Sequence, residues 1–247
     1  MDDQVLATTV MQLYNNMLFP IDDPDWFTFL SNEMQQPYFE KILNSLAQEL
    51  VEDKKFYPNS TEIFKAFAAT PLSKVKVVII GQDPYPTPDK ATGLAFAVPP
   101  NLHDIPASLS NIFKSIGRDE EISNVFATGD LTSWAEQGVF LLNTHLTVPA
   151  NNSLGHSSLG WKTFTDNTVQ FIVKNRPKAV FLLMGNNAQI KSKFIPPSRI
   201  IQCAHPSPHS APKFFESTPF IDVNTALMAA GLDTIRWNSV FQATHHA

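Results

Sequence analysis

The 247-residue chain is 43% hydrophobic and 17% charged, a globular composition that excludes a disordered chain. Its net charge of −5 argues mildly against nucleic acid as a partner, but net charge averages over the whole surface and leaves room for a local binding face. The single cysteine, Cys203, excludes an intramolecular disulfide and reads as a small buried hydrophobe.

The opening MDDQVLATTVMQ lacks the basic-then-apolar pattern of a signal peptide. No apolar run is long enough to span a bilayer. The expectation is an intracellular protein with no membrane partner.

In chain order, the first 70 residues read as helical. QPYFEKILNSLAQELVED sets Phe39, Ile42, Leu43, Leu46 and Leu50 at intervals of three and four, which predicts an amphipathic helix. STEIFKAFAAT predicts another, with Ser60 or Thr61 as its N-cap. From residue 74 the pattern changes. Four short runs, VKVVIIG (75–81), GVFLLN (138–143), KAVFLLMG (178–185) and RIIQCAH (199–205), are apolar at nearly every position. Such strands are buried on both faces, as in a parallel sheet covered by helices. Helical stretches separate them around 108–116, 132–137 and 161–174 and just after Asn186, and FIDVNTALMAAG predicts a closing helix that stops at Gly231. The pattern predicts an α/β fold: one domain over residues 1–247, with a helical part at 1–70 and a core at 74–235 on a central four-stranded parallel sheet flanked by helices.

The runs end at Gln82-Asp83, Asn143, Gly185-Asn186 and His205. Ligands of open α/β sheets bind outside the carboxyl ends of the strands. If the four runs are parallel, an acid, two amides and an imidazole converge on one crevice. Asp83 and His205 read as an acid–base pair or as part of a nucleophile triad, although no G-x-S-x-G is present. Without H-E-x-x-H or paired cysteines there is no metal motif, and G-x-G-x-x-G and P-loop patterns are absent. The loops IPASLSNIF and HPSPHS supply hydroxyls, and free N–H groups at a helix start hold phosphate without added charge. Simpler readings stand beside these: Asp83 as the start of an Asp-Pro turn, Pro84, Pro86 and Pro88 as a polyproline segment, Phe96 as core, and Asn143, His145 and His156 as loop residues.

GQDPYPTPDKATGLAFAV, GVFLLNTHLTV and HPSPHSA, in this order, resemble the family 1 uracil-DNA glycosylases. The likeness extends over YPNSTEIFKAFAATPLSKVKVVIIGQDPY, GWKTFTD and FLLMGNNAQ, nearly the whole chain. The resemblance implies a DNA-repair hydrolase that flips uracil out of single- or double-stranded DNA and cleaves its bond to deoxyribose, with no cofactor, acting as a monomer. It implies Asp83 as activator of water and stabiliser of the sugar cation, and His205 as donor to the uracil anion. Tyr85 would exclude the thymine methyl, Asn143 would read O4 and N3, Phe96 would stack on the base, and the backbone of Gln82 would hold O2. Ser108, Ser207 and Ser210 would pinch phosphates, Asn186 stands where the family has the Ser of a Gly-Ser loop, and His103 is a further candidate DNA contact.

The chain departs from the family pattern at Pro86, where His is usual, at His209, where a Leu wedge is usual, and in the thinned DIPASL loop. The resemblance names no particular protein inhibitor or replication partner. It leaves two readings: an active glycosylase, or a non-enzymatic DNA-binding or protein-docking relative that keeps the fold.

Overall fold

The computed structural model of the chain describes residues 3–102, 104–121 and 128–240, so His103 lies outside the described residues. Three helices open the chain: α1 (Asp3–Leu18), α2 (Pro24–Met34) and α3 (Pro37–Val51). The period of α3 turns Phe39, Ile42, Leu43 and Leu46 inward. Asp23 caps α2 by accepting the Trp26 backbone N–H at 2.8 Å, and Pro24 occupies the first helical position, where a missing N–H costs nothing.

The helix expected over STEIFKAFAAT is broken. Residues 60–62 form a 3₁₀ turn, and α4 runs only from Lys65 to Ala69. Neither Ser60 nor Thr61 caps it. The Ser60 hydroxyl instead accepts a hydrogen bond from Asn16 Nδ2 of α1 at 2.9 Å. Just before that turn, β1 (Phe56–Tyr57) pairs antiparallel with β4 (Val148–Pro149). Two-residue strands leave no alternation to read, and nothing in the residue pattern marks this pair.

The four apolar runs are strands: β2 (Val77–Gly81), β3 (Val139–Asn143), β5 (Val180–Met184) and β6 (Ile200–Cys203). They form one parallel sheet in the order β3-β2-β5-β6, with Gly81 opposite Asn143 and Met184 opposite Cys203. Every residue of β2, β3 and β5 is buried, as expected for a sheet covered on both faces. The edge strand β6 is less covered. Between the strands run α5 (Ala107–Asp119), α6 (Thr132–Glu136), α7 (Trp161–Asn175) and the short α8 (Asn186–Gln189). The chain closes with α9 (Ala211–Phe214) and α10 (Pro219–Ala229), beyond which Gly231 takes φ +69°, the left-handed stop expected of it.

One hydrophobic core extends from Leu13 in α1 to Val240 and unites the helical part with the sheet in a single domain. Aromatic rings weld the two. Trp26 stacks on Phe140 of β3 at 5.2 Å and meets Phe67 edge-on at 5.0 Å, while its indole N–H donates to Thr70 O at 2.9 Å. Because β2 sends its connections to β3 on one side and β5 follows on the other, the sheet has its switch point at the carboxyl end of β2. Among the described residues no helix is long and apolar enough to cross a membrane.

Candidate active site

At that switch point lies a cavity of about 200 Å³ lined by Gly81, Gln82, Asp83, Pro84, Tyr85, Pro86, Phe96, Ser108, Asn143, Ser153 and His205. Three of the four strand ends therefore reach it. Asp83 follows β2, Asn143 ends β3, and His205 stands two residues beyond β6. The fourth expectation is modified. Asn186 is exposed and does not line the cavity; its exposed neighbour Asn187 is also outside the lining but touches it indirectly, donating to Gln82 Oε1.

Two glycines make this convergence sterically feasible. A Cβ on Gly81 would fall 2.2 Å from Asn143 Oδ1, so only a glycine lets the amide pack against the β2 backbone. Gly185 takes φ +80°, and a Cβ there would lie 2.7 Å from His205 Cβ.

The Asp83 carboxylate is held by three donors. Ser153 Oγ and the Leu154 backbone N–H reach Oδ2 at 2.9 and 2.7 Å, and Gln82 Nε2 reaches Oδ1 at 3.3 Å. Sequence reading missed Ser153 and Leu154. They lie some seventy residues away in NNSLGH, and a backbone donor leaves no side-chain signature.

The His205 imidazole has a defined tautomer. Its Nδ1 accepts the Ser207 backbone N–H at 3.0 Å, so in the neutral ring the proton sits on Nε2. Burial pushes its pKa below the usual histidine value, which favours that neutral form. Among the described residues nothing hydrogen-bonds Nε2, which is free to donate to a ligand. The loop is braced by Asn111 of α5, whose Nδ2 donates to Pro206 O at 2.8 Å.

Asn143 is almost fully buried at the cavity, and among the described residues its side-chain amide is unpartnered. Tyr85 donates its hydroxyl to Phe96 O at 3.0 Å, and Phe96 adopts φ 67°, a left-handed conformation rare for a bulky residue. Its ring lies 6.2 Å from that of His205, tilted by 40°. Ser108 lines the cavity from the first turn of α5. Ser207, His209 and Ser210 occupy the turn beyond His205 outside the cavity lining, with His209 exposed and the two serines half-buried.

His145 and His156, expected as ordinary loop residues, are both buried. His156 bridges Glu49 and Thr147. The backbone N–H of His145 donates to Gln82 O at 2.9 Å, and its Nδ1 has no hydrogen-bond partner among the described residues. Cys203 is buried as expected, and burial raises its thiol pKa to about 12. Among the described residues no group of three or more His, Cys, Asp or Glu is placed to hold a metal ion.

Comparison with known proteins bears on this arrangement. Residues 67–227 match the model of the Uracil DNA glycosylase superfamily. The chain is similar to the uracil-DNA glycosylase of Vibrio campbellii, 42% identical over 218 residues, covering 87% of this chain and 96% of that protein. It is likewise 44% identical to that of Neisseria meningitidis serogroup C over 215 residues, covering 86% and 98%. Among solved structures, mimivirus uracil-DNA glycosylase superposes with a TM-score of 0.82 at 27% identity, covering 89% of this chain and 88% of that one. The match in sequence extends along most of the chain and the match in fold covers 89% of it, so this chain belongs to the uracil-DNA glycosylase superfamily and is a glycosylase of DNA base-excision repair.

Proposed function

We propose that the cavity receives a uracil flipped out of DNA, that Asp83 activates the attacking water, and that His205 stabilises the departing uracil anion. The observation that carries this reading is the meeting of Asp83, His205, whose Nδ1 is already occupied, and the unpartnered Asn143 amide in the lining of one cavity. Its volume of about 200 Å³ is below that of pockets for drug-sized ligands, roughly 300–1,000 Å³, and suits a single base.

Water attacks C1′, the C1′–N1 bond breaks, and its electron pair leaves with the uracil. The transition state is an oxocarbenium-like sugar, and a carboxylate beside it both stabilises the cation and accepts the proton of water. The neutral His205 donates Nε2–H to uracil O2, where negative charge develops. One such preorganised donor is typically worth about 10²–10³ in rate. The Gln82 backbone supports the same oxygen.

Selectivity is assigned to three side chains. Asn143 pairs with O4 and N3, and the reversed donor–acceptor pattern of cytosine would leave a buried amide unpaired at about 1–3 kcal/mol. Tyr85 occupies the space of a methyl on C5. Phe96 stacks on the base.

Ser108, Asn186, Ser207 and Ser210 hold the flanking phosphates through hydroxyls, an amide and backbone N–H groups, contacts suited to an acidic chain. His209 stands in the place of an apolar wedge. The substrates are single- and double-stranded uracil-containing DNA, and the enzyme acts as a monomer inside the cell, in the cytoplasm for a bacterial protein or in the nucleus for a eukaryotic or viral one. A mimivirus relative has been solved in complex with UGI, and an inhibitor of that kind is the protein partner this chain would meet.

The test is a strand-cleavage assay on single- and double-stranded oligonucleotides with one uracil. Abasic product from both is expected. No product at micromolar enzyme would overturn the reading.

A further inference from the structure

The two donors to Asp83 Oδ2 come from an exposed loop whose few internal bonds, Asn152 N–H to Pro149 O and Gly155 N–H to Asn152 O, are joined by restraints from outside it. Asn151 and Leu154 both adopt left-handed backbone conformations, φ 58° and 61°, without being glycine. For a residue such as Leu154 that conformation persists where the surroundings impose it. On the N-terminal side the restraint is the β1–β4 pair, extended by Ala150 N–H to Lys55 O and Asn151 N–H to Pro86 O, both at 2.8 Å. On the C-terminal side it is His156, two residues beyond Leu154 and only 2% exposed.

His156 is fixed at both nitrogens. Its Nε2 lies 3.0 and 3.2 Å from the two carboxylate oxygens of Glu49 on α3, and its Nδ1 lies 2.8 Å from Thr147 Oγ1. The Trp161 indole N–H donates to the same Thr147 oxygen at 2.7 Å. An ionised carboxylate only accepts, so Nε2 carries the proton shared with Glu49; in the neutral ring Nδ1 is then the acceptor, and the Thr147 hydroxyl, which accepts from Trp161, gives its own proton to Nδ1. The chain Trp161–Thr147–His156–Glu49 has one direction and no slack. It ties the end of the loop to α3 and α7, which belong to the aromatic core.

We propose that Glu49, His156 and Thr147 are positioning residues for the glycosylase reaction: they lock the 150–155 loop so that Ser153 and Leu154 present their donors to Asp83 and aim its free lone pairs at the water. The proposal rests on the role given to Asp83 above. None of the three touches substrate in this scheme. Their effect passes through Oδ2.

Single-turnover kinetics on a single-stranded uracil oligonucleotide test it, with a double-mutant cycle as the deciding readout. Glu49→Ala is expected to lower the chemical rate about 10–100-fold, the scale of a small misplacement of a reacting group, with KM for the oligonucleotide within about twofold. Glu49→Gln, whose amide oxygen still accepts from Nε2, should recover most of the rate. In an Asp83→Asn background, Glu49→Ala should cost less than about twofold more. Thr147→Val carries the same comparison if Glu49→Ala does not fold. An unchanged rate in the single variants, or an equal loss with and without Asp83, overturns the proposal. Asp83→Asn turning over at the wild-type rate refutes the role of Asp83 instead, and the relay falls with it.

Discussion

Tyr85 owes its place to restraints on every side. Pro84 and Pro86 fix the backbone around it, since each proline sets its own φ and restricts the residue before it. The hydroxyl donates to Phe96 O, and burial pushes the phenol pKa upward, so it remains a donor across the physiological range. That bond in turn braces Phe96 in its left-handed conformation. The gate and the stacking platform thus hold each other. Tyr85→Ala should free the space over C5 and lose the brace. A pocket discriminates one methyl by about 1–3 kcal/mol, or 10–200-fold. We expect free thymine to appear by chromatography from thymine-containing oligonucleotides, with a slower uracil reaction. A variant still blind to thymine would remove Tyr85 from the gate. The GQDPY and HPSP strings made Gln82, Asp83, Tyr85 and His205, which line the cavity, legible in advance. What they do not encode is who holds them: Ser153, Leu154 and the Ser207 N–H act through distant or backbone groups.

Elements were legible where they are long and periodic, and illegible where a tertiary contact outranks the local pattern. Strands β2, β3 and β5 were readable because burial on both faces leaves almost nothing polar to interrupt them, whereas the edge strand β6, with Gln202 exposed, was readable from its Ile-Ile pair alone. The Ser60 turn was not, because its hydroxyl serves α1 rather than its own helix. Lys191 is the sharper case. Lysine is almost never fully buried unless paired, yet Lys191 is 1% exposed. Its Nζ lies 2.6 Å from Asp166 Oδ1 and 2.8 Å from Thr165 Oγ1, and Thr165 donates to Thr144 O at 3.0 Å. One cation therefore joins the 3₁₀ turn 190–194 to α7 and to the residue after Asn143. Burial lowers the Lys191 pKa and Asp166 opposes it, so the charge depends on its partner. Lys191→Met leaves Asp166 with Lys162 alone, at 3.0 Å. Breaking a buried pair costs about 3–5 kcal/mol, and the surviving Lys162 contact places this case near 3 kcal/mol. Urea unfolding measures it. A loss below about 1 kcal/mol would show that the pair contributes little.

At the scale of the whole molecule, three histidines from separate segments carry the same bias. His145, His156 and His205 all have pKa values pushed below the usual 6.5, with burial as the main cause. Asp83 acts against burial at His145 and Glu49 does so at His156, and in neither case does the carboxylate win. In the unfolded chain all three titrate near the ordinary value of about 6.5. Between that value and their folded values, the unfolded chain binds more protons than the native protein. Stability therefore rises with pH through this window, is fully present above about pH 6.5, and is lost as the pH falls below it. Each histidine contributes a slope of at most about 1.4 kcal/mol per pH unit while it is neutral folded and protonated unfolded. Asp166, held below its usual 3.8 by Lys191 and Lys162 against the desolvation that would raise it, adds a separate loss only in more acidic solution. The thermal unfolding midpoint should be level from about pH 8 to 7 and decline steadily from about pH 6.5 to 5. His145→Asn, which removes one of the three groups without touching the Asp83 donors, should make that decline shallower. A midpoint that stays level down to pH 5 would mean that these rings are solvated rather than buried as neutral imidazoles.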